Sequence, residues 1–383
     1  MNQPIKVAVL ADSPLNQLKE GSGGRDLGQC TWLPQIATHF SKCREFEFYW
    51  LSFVPRLRNP QREVYEGITY LAYPKICWQI DDLCGLVPSK MVLRKALSDI
   101  RPDVLHAWGS ERTYASAISR NGTPSIFSLQ GLLKRYREVG GLPRHPSWLL
   151  AALREKRFVN SASVVTAESP WAISGLREYY SPRETRMVEY GVHPSFYTVS
   201  WQPKQEEPYF VFVGSLTELK GIPTLIEAVK NCRTRGWRLY LVGEGPLKNW
   251  VMDQRLEQIV CMGLLGWKEL HRKLSAAWAL VHPTKADTGP MAVKEARVIG
   301  LPVITTAERG QSRYVHHGEN GFIVPASDPD ALATAIDRLA GDFAMVKRFG
   351  HTHHDSDREY FRPERTASAF CGLYLDLAQR KRS

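Results

Sequence analysis

Asp287 and Glu295, two carboxylates with seven residues between them, stand in the stretch VHPTKADTGPMAVKEARVIGLPVITT, Val281 to Thr306. An ionised carboxylate only accepts hydrogen bonds, and it can take two vicinal hydroxyls at once. Between the two acids, Gly289 supplies the backbone angles of a tight loop and lets a ligand come close. Pro290 suits the first position of a helix, where its missing N–H is no loss. The amides of Met291 and Ala292 are then free at a helix N-terminus, an anion site of the kind that holds phosphate. Read outward, the stretch is a buried strand ending at Val281, a loop, a helix to about Ile299, a turn at Gly300 and Pro302, and a strand from Val303. The competing reading is an ordinary strand–helix unit that carries two acids by chance.

Other loops offer chemistry of the same kind. Gly21-Ser-Gly-Gly24-Arg25 follows a first strand, Ile5 to Leu10, and precedes a helix. Backbone amides in such a glycine turn can approach a phosphate, although many glycine turns are only flexible connections. Val213-Gly-Ser-Leu-Thr-Glu-Leu-Lys220-Gly221 follows a second strong strand and places one cation, Lys220, at a loop end. By itself Lys220 reads as a solvated lysine. Leu241-Val-Gly-Glu-Gly-Pro246 closes another strand with a tight turn, and Gly266-Trp267 comes one strand later. Trp267 is either a base-stacking ring or a packed aromatic.

Around these loops, strands and helices alternate. Strands are expected at Ile5 to Leu10, Phe46 to Phe53, Asp103 to Ala107, Ser125 to Leu129, Val164 to Ala167 and Met187 to Glu189. Helical patterns cover Leu27 to Phe40 and Met91 to Ile100. Pro194 to Pro208 is polar and proline-bearing, and reads as a linker. Alternation restarts with strands at Tyr209 to Val213, Arg238 to Val242, Ile259 to Leu264, Val281 and Val303 to Thr305, and with a helix near Thr224 to Arg235. The pattern predicts an α/β protein of two Rossmann-like, doubly wound domains facing across a cleft: residues 1–200, residues 201–362, and a helix at 363–383.

The acid pair and its flanks resemble the signature of family 4 retaining glycosyltransferases, which have the GT-B fold. Their motif is an acid, seven residues and Glu, standing here as Asp287-Thr-Gly-Pro-Met-Ala-Val-Lys-Glu295. Family members more often carry Glu at the first acid, so Asp287 is shorter by a methylene. The resemblance is strong over Tyr209 to Pro325 and architectural over residues 1–200. It implies transfer, with retention, of a sugar from a nucleotide-sugar donor to a glycan or lipid-linked acceptor in cell-surface polysaccharide synthesis. Glu295 would hold the ribose hydroxyls and Asp287 the hydroxyls of the transferred sugar. Lys220, Gly214, Gly23 and Gly24, with Gly289, Pro290, Met291 and Ala292, would surround the leaving diphosphate. The resemblance also implies that the last helix crosses back to the first domain.

Some positions depart from the family. Ser215 stands where Arg is expected, so Lys220 is the one matching cation, and Arg25, Lys285, Arg309 and Arg313 are substitutes to consider. Gln130 stands where many relatives have His, and an amide cannot shuttle a proton at neutral pH. Arg313 replaces a glutamate, so its loop is expected to meet an anion. His106, at a strand end, is either structural or substrate-facing. Two rival readings follow: a nucleotide-sugar epimerase of the same architecture, or a catalytically silent sugar- or membrane-binding relative.

Composition bounds the rest. The chain has 383 residues, a hydrophobic share of 43% and a formal charge of +11. Such a charge suits an anionic substrate or membrane, and no nucleic-acid-reading motif accompanies it. Cys30, Cys43, Cys77, Cys84, Cys232, Cys261 and Cys371 form no CxxC pair, so free thiols in a reducing cytosol are expected. No metal motif of the Asp-x-Asp type appears. Asp81-Asp82 reads as a loop pair without partners, and a metal-independent enzyme with no cofactor is expected. Ile5 to Leu10, interrupted by Lys6, reads as a strand rather than a secretory segment, and no apolar run is long enough to span a membrane. Residues 132–158 concentrate Lys134, Arg135, Arg137, Arg144, Arg154, Lys156 and Arg157 against Glu138 and Glu155, beside an apolar stripe of Trp148, Leu149, Leu150 and Leu153. That reads as a peripheral contact with the inner leaflet of the cytoplasmic membrane, as a packed helix with solvated charges, or as a site where Arg135 and Arg137 hold an anionic acceptor.

Overall fold

The structure is a computed structural model that describes residues 3–20, 32–110, 113–119, 122–142, 145–307 and 310–382. Two sheets carry the chain. The first contains β1 (Ile5–Leu10), β2 (Phe46–Val54), β3 (Gln61–Tyr65), β4 (Ile68–Pro74), β5 (Val104–Trp108), β6 (Ser125–Ser128), β7 (Val164–Ala167) and β8 (Thr185–Met187). Its order is β3-β4-β2-β1-β5-β6-β7-β8, and only β3 runs antiparallel to its neighbour. The second sheet contains β9 (Tyr209–Val213), β10 (Arg238–Val242), β11 (Ile259–Gly263), β12 (Ala279–His282), β13 (Val303–Thr306) and β14 (Gly321–Val324). It is parallel throughout, in the order β11-β10-β9-β12-β13-β14. The order reverses between β9 and β12, and a ligand crevice opens at the carboxyl ends of strands at such a reversal. The loops that hold Gly214 to Gly221 and Asp287 to Pro290 leave those two strand ends.

The central strands are apolar because both of their faces are covered. β5, β6, β7, β12 and β13 are buried along their whole lengths. The edges are not: β3 carries Gln61, Arg62 and Val64 to solvent. β3 and β4 form a hairpin that the sequence reading missed. Its two-residue turn, Glu66-Gly67, has φ of 47° and 80°. A turn with both central residues at positive φ matches the twist of a hairpin, and Glu-Gly signals it more weakly than Asn-Gly.

The segment from Pro194 to Pro208 joins the two sheets and is itself packed. Pro194–Thr198 forms a 3-10 turn with Phe196 fully buried, and the Trp201 indole donates to the Ala277 carbonyl at 2.8 Å. Its aromatics supply the apolar surface that a polar linker lacks. Asp81 and Asp82 are likewise helical, within Trp78–Leu83, and partnered. Asp81 accepts from the Ser89 amide and hydroxyl, and Asp82 pairs with Arg154 at 2.6 Å.

The final helix, Pro363–Arg382, lies on the first sheet. Phe370, Tyr374 and Leu377 join a core with Val7, Phe40, Phe48 and Trp108. Burying side chains such as Phe370 and Leu377 is worth about 1.5–3 kcal/mol each. His106 belongs to this core. It is fully buried, its ring nitrogens bond the Tyr374 hydroxyl at 2.6 Å and the Ser128 hydroxyl at 2.7 Å, and it stacks 3.6 Å from Trp108. The structural reading of His106 therefore holds, and the substrate-facing one does not.

Candidate active site

The loop after β12 is tied to the loop after β9. The Thr284 hydroxyl donates to the Leu219 carbonyl at 3.0 Å, and the Lys285 amide donates to the same carbonyl at 2.8 Å. Gly221 makes this approach possible. It sits at φ 74°, and a Cβ there would lie 1.9 Å from the Pro283 carbonyl oxygen. The join brings Lys220 Nζ into an ion pair with Asp287 Oδ2. The Gly289 amide donates to the other carboxylate oxygen at 3.2 Å. Burial alone would raise the Asp287 carboxyl. Lys220 outweighs that and His282 adds to it, leaving the carboxyl well below the usual range.

The helix Met291–Ile299 starts one residue later than expected. Pro290 is its N-cap, with ψ of 118°, rather than its first helical residue. Pro290 still leads the Met291 and Ala292 amides to the cavity. Gly300, at φ 93°, ends the helix as expected. Glu295 is 5% exposed and faces the same cavity. Burial pushes its carboxyl up to about 8, and Lys294 pulls the other way.

One cavity of about 300 Å³ gathers the described site candidates: Gly214, Ser215, Lys220, Asp287, Gly289, Pro290, Met291, Ala292 and Glu295 all line it. Gly23, Gly24, Arg25 and Arg309 lie outside the described residues. Of the other substitutes for the missing Arg, Lys285 does not line this cavity, and Arg313 turns to the protein's own anion, Glu189, at 3.4 Å. Trp267 is 7% exposed and packs against Phe196, which favours the packed reading over base stacking.

The first half completes the walls with Trp32, Gln130 and Glu168. The Thr288 hydroxyl donates to the Gln130 carbonyl at 2.7 Å. Glu168 presses on Gly289 so closely that a Cβ there would come within 2.8–2.9 Å of its side chain. Burial pushes the Glu168 carboxyl up to about 7, against the pull of Lys294. Lys294 Nζ pairs with Glu168 and lies 3.3 Å from Glu189. The sequence reading missed Glu168, Glu189 and Lys294, since nothing local marks charges that meet across 126 residues of chain. It also missed His282, buried at the end of β12 and 3.9 Å from Asp287. Burial lowers the His282 pKa and keeps the ring neutral.

A second cavity, of about 690 Å³, shares Gln130, Ser215 and Lys220 with the first and continues between Tyr136, Trp148 and Leu219. Against this geometry the chain can be compared with known proteins. Residues 207–342 match the family described as glycosyl transferases group 1. That segment belongs to the group 1 glycosyltransferases. The whole chain resembles solved GT-B glycosyltransferases in shape, and the fold is GT-B. Sucrose-phosphate synthase from Thermosynechococcus elongatus superposes with a TM-score of 0.78 at 19% identity, over 97% of this chain and 99% of that one. Anabaena HepE, solved in complex with UDP and glucose, gives a TM-score of 0.71 at 16% identity, over 97% and 100%. The amylovoran biosynthesis glycosyltransferase AmsK of Erwinia amylovora is 31% identical over 178 residues, 42% of each chain. The chain spans about half the length of the first curated relatives it matches, between 42% and 58%.

The basic segment, residues 132–158, divides differently from expectation. In the helix Pro146–Ser161 the buried face is Ala151, Glu155, Phe158 and Val159. Glu155 is internal, accepting from the Ser110 and Tyr180 hydroxyls, so it does not balance the surface charge. Arg135 pairs with Glu178 at 2.7 Å and Arg154 with Asp82, so neither is a free anion contact. Leu149 and Leu153 are exposed, as are Ile80, Leu83, Val87 and Met91 on neighbouring helices. Exposed Arg94, Lys156 and Arg157 accompany them. Among the described residues no helix is long and apolar enough to cross a membrane.

Proposed function

We propose that the protein is a retaining glycosyltransferase of family 4 that moves a sugar from a nucleotide-sugar donor to a glycan or lipid-linked acceptor in polysaccharide or glycoconjugate synthesis. The observation that carries this reading is the shared cavity. A paired ammonium, a helix N-terminus and two carboxylates on opposite sides of that terminus converge there. A diphosphate needs the first two, and sugar hydroxyls need the last. Glu295 would accept from the ribose and Asp287 from the transferred sugar. Lys220 and the Met291 and Ala292 amides would stabilise the charge that grows on the departing diphosphate.

In this reading the donor's own phosphate oxygen takes the acceptor proton on the face where the sugar leaves. The protein holds the partners in line and supplies no nucleophile. The reading needs no metal at the diphosphate. HepE, of the same shape, binds UDP and glucose, which supports a nucleotide-sugar donor here. The adjoining cavity beside Tyr136 and Trp148 would take the acceptor. The exposed leucines and basic residues on the outer face of the first half would rest on an anionic inner leaflet, where apolar burial and charge attraction add.

The test is a thermal-shift panel of UDP, GDP and their sugar conjugates on the wild type and on Glu295→Ala. A ligand that binds only the folded state must raise the melting point. One donor class should shift the wild type and not the variant. If no nucleotide or nucleotide sugar shifts the wild type, the donor-site reading fails.

A further inference from the structure

Away from the cleft, His316, Glu319 and His353 bring three potential ligand atoms within 4.8 Å of one another. We propose that these residues form a transition-metal site of the zinc class, which staples the turn before β14 to the helix His354–Tyr360.

Both sides of the site are held by backbone. On one side the His316 amide donates to the Asn320 side chain at 2.7 Å, and the Glu319 and Asn320 amides donate to the His316 carbonyl at 3.0 and 3.2 Å. Gly318, at φ 83°, closes that turn. His316 and Glu319 therefore emerge together from one short, fixed loop. On the other side His353 occupies the left-handed region at φ 62° and ψ 8°. A side chain rarely takes that conformation, and it persists only where the surroundings enforce it. There it carries the imidazole to 4.3 Å from the His316 ring and puts Nε2 2.8 Å from Glu319 Oε2.

Two imidazoles and a carboxylate are a three-ligand set, and a water completes a tetrahedron. Ligand atoms around one such tetrahedral ion sit about 3.4 Å apart, given metal–ligand bonds near 2.1 Å. The ligand atoms of His316, Glu319 and His353, within 4.8 Å of one another, would need to draw together to reach that spacing. Imidazole favours zinc, copper or nickel over magnesium or calcium.

The segment behind the site supports the donor helix. Arg297, from the same helix as Glu295, donates through Nη2 to the Thr352 carbonyl at 2.7 Å and through Nε to Asp357 at 2.8 Å. His354 Nε2 lies 3.0 Å from the Val298 carbonyl. An ion fixing residue 353 would therefore stiffen the strut on which the helix Met291–Ile299 rests. This inference does not depend on the donor reading, because it concerns metal binding and stability alone.

The test uses the full chain, stripped with chelator and titrated with zinc chloride in a calorimeter, beside His316→Gln, Glu319→Gln and His353→Gln. The wild type should bind one equivalent with a raised melting point. Each variant should bind at least ~10-fold more weakly, since altering even the outer partners of a metal site costs about 10–100-fold in affinity. Magnesium and calcium should not compete. Circular dichroism and metal-free melting points of the three variants, exposed at His316 and Glu319 and half-buried at His353, test that they fold. Zinc binding that is equal in the wild type and the variants would place the ion among the other histidines and cysteines and overturn the proposal, as would no binding at all.

Discussion

Lys294 reaches from the helix Met291–Ile299 to Glu168 in the other half of the chain, and its ammonium is fully buried there. Burial works against that charge, but Glu168 and Glu189 outweigh it and hold the Lys294 pKa above its usual value. The neighbouring residue is Glu295, so the helix that carries it is pinned by charge to the opposite wall of the cavity. Removing one partner of a buried ion pair typically costs about 3–5 kcal/mol, because the other is left uncompensated. Lys294→Met and Glu168→Gln should each lower the calorimetric melting point markedly, and the double variant should recover much of the loss. Additive losses in the double variant would show that the two residues do not act as a pair.

Glu295 gives stability a pH dependence. Its carboxyl is held at about 8 in the folded chain against 4.5 as the ordinary value. Above 4.5 the unfolded chain has released this proton while the folded chain keeps it, so the folded state binds more protons. The stability due to this group is therefore complete at low pH, falls as pH rises from 4.5, and is lost once pH passes about 8. Glu295→Gln removes the titration. The melting point of the variant minus that of the wild type should grow between pH 5 and pH 8 and then level off. A flat difference across that window would mean that Glu295 is ionised throughout.

Lys220 is the one cation among the described residues that line the cavity with Asp287 and Glu295. Removing a single preorganised donor of transition-state charge lowers kcat by about 10²–10³-fold. Lys220→Met should lose transfer on that scale while the chain stays folded, measured by single-turnover sugar release. A loss below tenfold would move the charge stabilisation to another group.

Ser215 lines both cavities beside Lys220. Ser215→Arg would add a second cation beside Lys220. A hydrogen bond to a charged group is worth about 1.5–3 kcal/mol, so UDP affinity should rise roughly 10- to 100-fold by calorimetry. Unchanged affinity would mean that the diphosphate does not pass beside Ser215.

Leu149 and Leu153 are 43% and 71% exposed next to basic side chains. Leu149→Asp with Leu153→Asp should abolish co-sedimentation with vesicles containing anionic lipid while leaving thermal stability unchanged. Equal sedimentation of variant and wild type would remove the membrane reading for this face.

The second half of the protein was legible because its chemistry is local. Parallel strands covered on both faces read as apolar runs, and Gly221, Gly289 and Gly300 mark turns that no side chain fits. Pro290 was placed one position too deep, since its ring suits the cap and the first helical turn alike. The first half was harder. β3 is an exposed edge strand of mixed polarity with no apolar period to detect. His106 could not be assigned from its strand, because its partner Tyr374 lies 268 residues away. The Glu168–Lys294 pair was hidden for the same reason: it exists only once both sheets have formed and closed on each other.

The crossing of the helix Pro363–Arg382 sets an order on biosynthesis. A ribosome releases the first sheet long before residue 370 has been made, so His106, Trp108 and Phe48 wait without the ring of Phe370 or Tyr374 above them. Chains begin to fold as they emerge, N-terminal parts first, and exposed apolar surface at that stage invites aggregation. In this protein the first half to be translated is the last to be finished. Its core closes only after the second sheet has been threaded out, and truncation at residue 362 would harm the opposite end of the chain.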